Sequence, residues 1–142
     1  MFVDTILRGK GGTVRTLDET GTLADAVALL NTHNIGAVVI TDGNGAITGI
    51  LSERDIVRRL GDSVNNTLSL RIADCMTRGV VTCTRNTEIA EVMEAMTRKR
   101  IRHMPVLDTG RMIGIVSIGD VVKYKIEEVE HEAEALKEYI AS

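Results

Sequence analysis

The chain has 142 residues, of which 44% are hydrophobic and 26% charged, enough apolar material for a globular core and too little length for a large catalytic barrel with an accessory domain. Lys and Arg total 17 against 20 Asp and Glu, a formal net charge of −3 and the wrong overall sign for a protein held to nucleic acid by its global charge. Aromatic residues are 2%, with no Trp, so a base-stacking platform for single strands is excluded and any bound ring must lie among aliphatic side chains.

The first stretch, Met1 to Thr13, reads as an arm in which Ile6 and Leu7 precede a flexible Gly9-Lys10-Gly11-Gly12. It lacks the basic, then apolar, then small-residue order of a secretory signal. Apolar runs such as Ala37 to Ile40 are far short of the roughly 18 residues that span a bilayer. No membrane association and cytoplasmic residence are therefore expected. A first copy of a pattern occupies 14–60. Val14 to Leu17 is a short β-branched run; Thr22 to Asn34 has helical spacing, with Leu23, Ala26, Val27 and Leu30 on one face. Ala37 to Thr41 and Ile47 to Leu51 flank Gly43-Asn44-Gly45 as a hairpin, and Ser52 opens a new helical period.

Residues 61–78, with Gly61, Asn65 and Asn66, read as a connector. The pattern then returns over 79–125. Val80 to Cys83 matches the first strand, and Thr87 to Lys99 matches the helix through Ile89, Val92, Met93 and Met96. Met104 to Leu107 and Met112 to Val116 flank Thr109-Gly110 as the second hairpin. Laying the chain on itself with Val14 on Val80 places Thr16 on Thr82, Leu30 on Met96 and Ile35 on Ile101. After a one-residue deletion, the run from Gly49 to Asp55 falls on the run from Gly114 to Asp120. The expected fold class is α+β: tandem β-α-β-β-α repeats whose two small sheets pack together, because neither copy of about 50 residues buries a large core alone. An extended helix follows.

That helix carries Val122, Ile126, Val129, Ala133, Leu136 and Ile140 at alternating spacings of four and three, with Glu-rich other faces. Two readings of this heptad-like stripe over 126–142 stand side by side. It packs on its own domain as a solvated helix, or it forms a homodimer.

Ser52-Glu53-Arg54-Asp55 and Ser117-Ile118-Gly119-Asp120 each sit between a strand and a helix. A Ser followed three residues later by an acid is a capping box. The acid also recurs in both copies beside a strand end, where open sheets leave crevices for ligands. A carboxylate there accepts from both ribose hydroxyls, and the two roles are compatible. In the second copy, the basic run Lys99-Arg100-Ile101-Arg102-His103 leads into Met104-Pro105-Val106. Arg102 and His103 then face a phosphate while Asp120 holds the sugar, since guanidinium binds phosphate oxygens bidentately; the alternative is a solvated cationic loop. The first-copy equivalents, Gly36 and Ala37, carry no charge, so the two clefts should differ in affinity.

Lys10 lacks the spacing of a Walker loop but suits an auxiliary phosphate contact. Cys75 and Cys83 match neither a zinc pair nor a redox motif and read as reduced, semi-buried thiols. His33, His103 and His131 are scattered, indicating no metal site. No nucleophile elbow or Cys–His arrangement points to turnover. The residues argue for binding and against an enzyme.

The duplicated G-h-h-S-x-x-D segments (Gly49 to Asp55, Gly114 to Asp120), with the Ile35-Gly36-Ala37-Val38-Val39-Ile40 and Ile101-Arg102-His103-Met104-Pro105-Val106 strands, resemble a pair of CBS domains, the Bateman module, over residues 14–125. The resemblance is to small stand-alone CBS-pair proteins. It implies two clefts for adenosine-containing ligands: AMP foremost, with ATP, NAD(H) or S-adenosylmethionine as others. Carried over by position, Asp55 and Asp120 resemble ribose-binding carboxylates, and Ser52 and Ser117 hydroxyls near ribose or phosphate. Thr16 and Thr82, with Val14 and Val80, would line the adenine end, helped by Ile35 and Met104. Arg102 and His103 match phosphate-facing positions, and Arg54 or Lys10 would compensate for Gly36-Ala37 in the first copy. The function so implied is a ligand-sensing regulatory homodimer read by an effector protein. A ligand-independent dimerisation or interaction module is the alternative.

Overall fold

The computed structural model describes residues 1–11, 13–62 and 65–142. The chain begins with helix α1 (Val3–Lys10), then β1 (Thr16–Asp18), α2 (Leu23–His33), β2 (Ala37–Thr41), β3 (Ile47–Ser52) and α3 (Glu53–Asp62). After a short 3-10 turn at Thr67–Ser69 come α4 (Ile72–Cys75), α5 (Ile89–Lys99), β4 (His103–Asp108), β5 (Arg111–Ser117) and α6 (Ile118–Ala141). These elements form two compact units, Arg15–Val80 and Met1–Val14 with Val81–Ser142.

In the unit Arg15–Val80, β1 pairs in parallel with β2, which pairs antiparallel with β3. The capping box of Thr22 and Asp25 starts α2, and Asn34 in the left-handed conformation ends it. Leu23, Ala26 and Leu30 of α2 pack with Val38, Ile40, Leu51, Ile56 and Ile72 in one apolar core. Cys75 and Met76 of the connector belong to that core; the stretch read as a linker supplies a wall. Gly49 is required there, because a Cβ at that position would stand 2.5 Å from the Met76 sulfur and 3.0 Å from the Thr77 carbonyl.

The other unit follows the same plan with one strand reduced. β4 and β5 form a two-stranded sheet, closed by Thr109-Gly110 with both φ positive, as a two-residue hairpin turn demands. The expected strand Val80 to Cys83 shrinks to a single parallel bridge between Cys83 and Val106. The reason lies in Pro105. Cys83 N–H donates to the Pro105 carbonyl and Leu107 N–H to the Cys83 carbonyl, but the preceding rung would need an N–H that proline lacks. The equivalent residue in the first copy is Val39, and its ladder extends over three residues.

Met1 to Lys10 is not a flexible arm. Val3, Ile6 and Leu7 of α1 are buried in the core that α5, β4, β5 and α6 build. A Cβ on Gly114 would stand 2.7 Å from Leu7 Cδ2, and one on Gly9 would overlap the Tyr124 hydroxyl, so both glycines serve close approach of the helix. Of the flexible run expected at Gly9 to Gly12, Gly9 and Lys10 are helical and Gly12 lies outside the described residues. Burial raises the pKa of both cysteines, that of Cys83 to about 11; they are free, buried thiols.

α6 runs 24 residues, about 36 Å at 1.5 Å per residue. Val121 is fully buried, whereas Val122, Ile126, Val129, Leu136 and Ile140 are between 42% and 74% exposed. The heptad stripe does not pack on its own unit. Among the described residues, no helix is long and apolar enough to cross a membrane.

Candidate functional site

Each β-hairpin delivers its second strand directly into a helix, and the candidate residues gather at that junction. At the end of β5, Ser117 is the N-cap of α6. Its backbone N–H donates to Asp120 Oδ2 at 2.9 Å, while the Asp120 N–H donates to Ser117 Oγ at 3.2 Å. At the end of β3, Ser52 and Asp55 repeat the arrangement at 2.9 Å and 3.4 Å. The capping reading therefore holds at both positions. It also holds for Thr22 and Asp25 on α2, so the box by itself is a way of starting a helix. What sets Asp55 and Asp120 apart is what else reaches them.

Each carboxylate is met by a side chain from the segment preceding the other copy. Thr77 Oγ1 donates to Asp55 Oδ1 at 3.4 Å. Lys10 Nζ, at the C-terminal end of α1, donates to Asp120 Oδ2 at 2.6 Å and to the Ile115 carbonyl at 2.8 Å. This is a short, charge-assisted contact in a partly shielded place, with Lys10 37% and Asp120 23% exposed. All of these bonds to Asp120 end on Oδ2. Among the described residues, no hydrogen bond ends on Oδ1.

Burial pushes the Asp120 pKa up, but the Lys10 ammonium and the Ser117 N–H outweigh it and hold the carboxyl below the ordinary carboxylate value. A carboxylate depressed on folding contributes stability above its unfolded pKa, about 3.9 for Asp, and loses that contribution as pH falls through the folded value. An NMR titration of Asp120 into acid is expected to give a midpoint below the ordinary value. Lys10→Met should move that midpoint upward; an unmoved midpoint would show that Lys10 does not set the charge of this carboxyl.

Arg102 and His103 are brought to the same junction. His103 is the β4 partner of Ser117, and cross-strand partners project on one face of a sheet. The Arg102 carbonyl accepts the Ile118 N–H at 2.8 Å, tying the basic run to the first residue of α6. The first copy reproduces this frame without the charge: Ala37 partners Ser52 and the Gly36 carbonyl accepts the Glu53 N–H at 3.0 Å. Arg54 is exposed on the first turn of α3. Basic residues therefore gather at one junction: Lys10 is bonded to Asp120, and the exposed Arg102 and half-buried His103 stand at the start of the strand that pairs with Ser117.

The residues assigned to the adenine end are placed less uniformly. Thr16 and Thr82 are exposed, Val80 is half-buried in the unit Arg15–Val80, and Val14 is exposed in the other unit. Ile35 is half-buried against the core around α2. Met104 departs from expectation: it is 2% exposed and part of the core around α5, so it backs the wall and presents no surface. The position equivalent to Ile35 is Ile101, half-buried against that same core. Laying Val14 on Val80 already pairs Ile35 with Ile101. Lys10 as the partner of Asp120, and Thr77 as the partner of Asp55, had no comparable signal, because both come from segments outside the repeat as read from sequence.

A family model for the CBS domain matches residues 13–62 and 72–127. The chain belongs to the CBS-domain family. The CBS-domain-containing protein ATU1752 of Agrobacterium tumefaciens superposes with a TM-score of 0.85 at 41% identity, covering 88% of this chain and 99% of that one. CBSX3, a mitochondrial CBS-domain-containing protein of Arabidopsis thaliana, is 38% identical over 129 residues, 88% of this chain. The present chain spans 62% of that relative's length. The CBS domain pair of protein MJ0100, solved in complex with 5′-methylthioadenosine and S-adenosyl-L-methionine, superposes with a TM-score of 0.78 at 27% identity and covers 90% of this chain and 98% of its own. This chain is a CBS pair with mixed α and β structure, two small sheets and a long C-terminal helix.

Proposed function

We propose that this CBS pair is a regulatory sensor, not an enzyme, and that it takes an adenosine-containing ligand carrying an anionic tail at the β5–α6 junction. AMP fits best, with ATP, NAD(H) and S-adenosylmethionine as the other members of the class. The observation that carries this reading is the capped carboxylate of Asp120 held by Lys10, at the junction whose β4 side opens with Arg102 and His103, against the uncharged Gly36-Ala37 frame in the other copy. Oδ1 of Asp120 accepts one ribose hydroxyl. Oδ2 takes the second once Lys10 moves from the carboxylate to the phosphate, so a phosphorylated ligand replaces the ion pair it breaks. The adenosyl compounds bound by the MJ0100 pair support the adenosyl half of this reading; the anionic tail rests on Lys10 and Arg102 alone.

Calorimetric titration with AMP, ATP, NADH and S-adenosylmethionine tests the reading, with saturable binding of AMP as the expected result. Arg102→Ala should reduce AMP affinity more than adenosine affinity, because the nucleoside has no phosphate to lose. Equal losses would remove Arg102 from the phosphate role. Silence from every adenosyl compound would favour the second reading, a ligand-independent interaction module, for which the exposed stripe on α6 is the specific observation.

A further inference from the structure

Val121 is fully buried and Tyr124 packs against the core, which fixes the rotation of α6 about its axis. The stripe of Val122, Ile126, Val129, Ala133, Leu136 and Ile140 is thereby left on the outside. Its alternating spacing makes Ile126, Ala133 and Ile140 the a positions of a heptad and Val122, Val129 and Leu136 the d positions. The flanking positions then carry a definite charge order. The g positions are Lys125, Glu132 and the uncharged Tyr139; the e positions are Lys123, Glu130 and Lys137.

In a parallel pair of helices, each g residue faces the e residue of the partner's following heptad, whereas an antiparallel pair sets e against e and g against g. We propose that a second copy of this chain covers the stripe, as a parallel, in-register two-stranded coiled coil. In that arrangement Lys125 meets the partner's Glu130, and Glu132 meets the partner's Lys137, with opposite charge at every contact. Lys125, which lies 2.8 Å from Glu128 of its own helix, then sits between two carboxylates. The antiparallel pairing centred on the same stripe sets Glu130 on the partner's Glu130, Glu132 on the partner's Glu132 and Lys123 on the partner's Lys137. Like charges disfavour it at each of these places, and the remaining g pair, Lys125 with the partner's Tyr139, adds no opposite charge to offset them. Because the start of α6 is anchored in a core, the helix is already formed and association does not have to supply its nucleation. The inference is independent of the ligand.

Ile140→Cys in the full chain tests it. Ile140 is 74% exposed, so the substitution leaves the core intact. Mild oxidation is expected to join most of the variant into covalent dimers, while the wild type, whose Cys75 and Cys83 are buried, stays uncrosslinked. In the antiparallel arrangement the two thiols would stand about 27 Å apart. Preferential crosslinking of a mixture of Val122→Cys and Ile140→Cys chains would overturn the proposal, as would a wild type that sediments as a monomer at every concentration. Glu130→Lys combined with Glu132→Lys should weaken self-association roughly 5- to 30-fold, the size expected of four surface ion pairs. An unchanged dissociation constant would overturn the assigned charge order.

Discussion

Asp120→Ala is expected to weaken AMP binding by about 1.5–3 kcal/mol, roughly 10- to 100-fold, the range for hydrogen bonds to a charged acceptor. The carboxylate is already ionised, fixed in direction by the Ser117 N–H and adjoined by Lys10. Its ribose contacts would form with little further ordering. The same substitution removes the acid of a capping box and costs about 1 kcal/mol of stability, so affinity should be measured by calorimetry well below the unfolding temperature of the variant. Asp55→Ala serves as the comparison. It removes the same cap, but at a junction where Thr77 stands in place of a lysine and Gly36-Ala37 in place of Arg102-His103. Its effect on AMP should be clearly smaller. Unchanged AMP affinity in Asp120→Ala, with stability reduced, would leave capping as the whole role of that residue.

Ile6→Ala is expected to destabilise the protein by about 2–5 kcal/mol, the range for removing a fully buried branched side chain from a packed core. If the first residues were only an arm ahead of the repeat, the substitution would cost almost nothing. The difference rests on Ile6 being fully buried together with Val3, Met96, Met104 and Val116, and on the Val3 N–H donating to the Thr87 carbonyl at 2.9 Å. Denaturant unfolding of wild type and variant would measure it. A loss within 0.5 kcal/mol, roughly what surface substitutions cause, would mean that α1 is not part of the folded core. The loss should also be felt at Asp120, because Lys10 is carried on the same helix.

The duplication was legible because both copies repeat the same chemistry at the same offsets. Leu30 and Met96 fall on corresponding helix faces, and Asn34 and Arg100 end those helices in the same left-handed conformation. The two capping boxes were legible for the same reason, since hydrogen bonds between residues three apart are written locally. Pro105 could have warned that the second sheet would lose its third strand. The missing N–H is a property of the residue, but the effect depends on which carbonyl it would have met.

By itself, then, the amino-acid order determined the repeat, the hairpins, the starts of the helices within the two copies and the apolar stripe of α6, all of which follow from spacings within a few residues. Tertiary structure alone decided that α1 and the connector supply core walls. It decided that Gly114 and Gly49 make room for Leu7 and Met76, that Met104 turns inward, and that Lys10 rests on Asp120. Each of these joins segments distant along the chain, where packing and charge pairing depend on three-dimensional proximity that no local periodicity encodes.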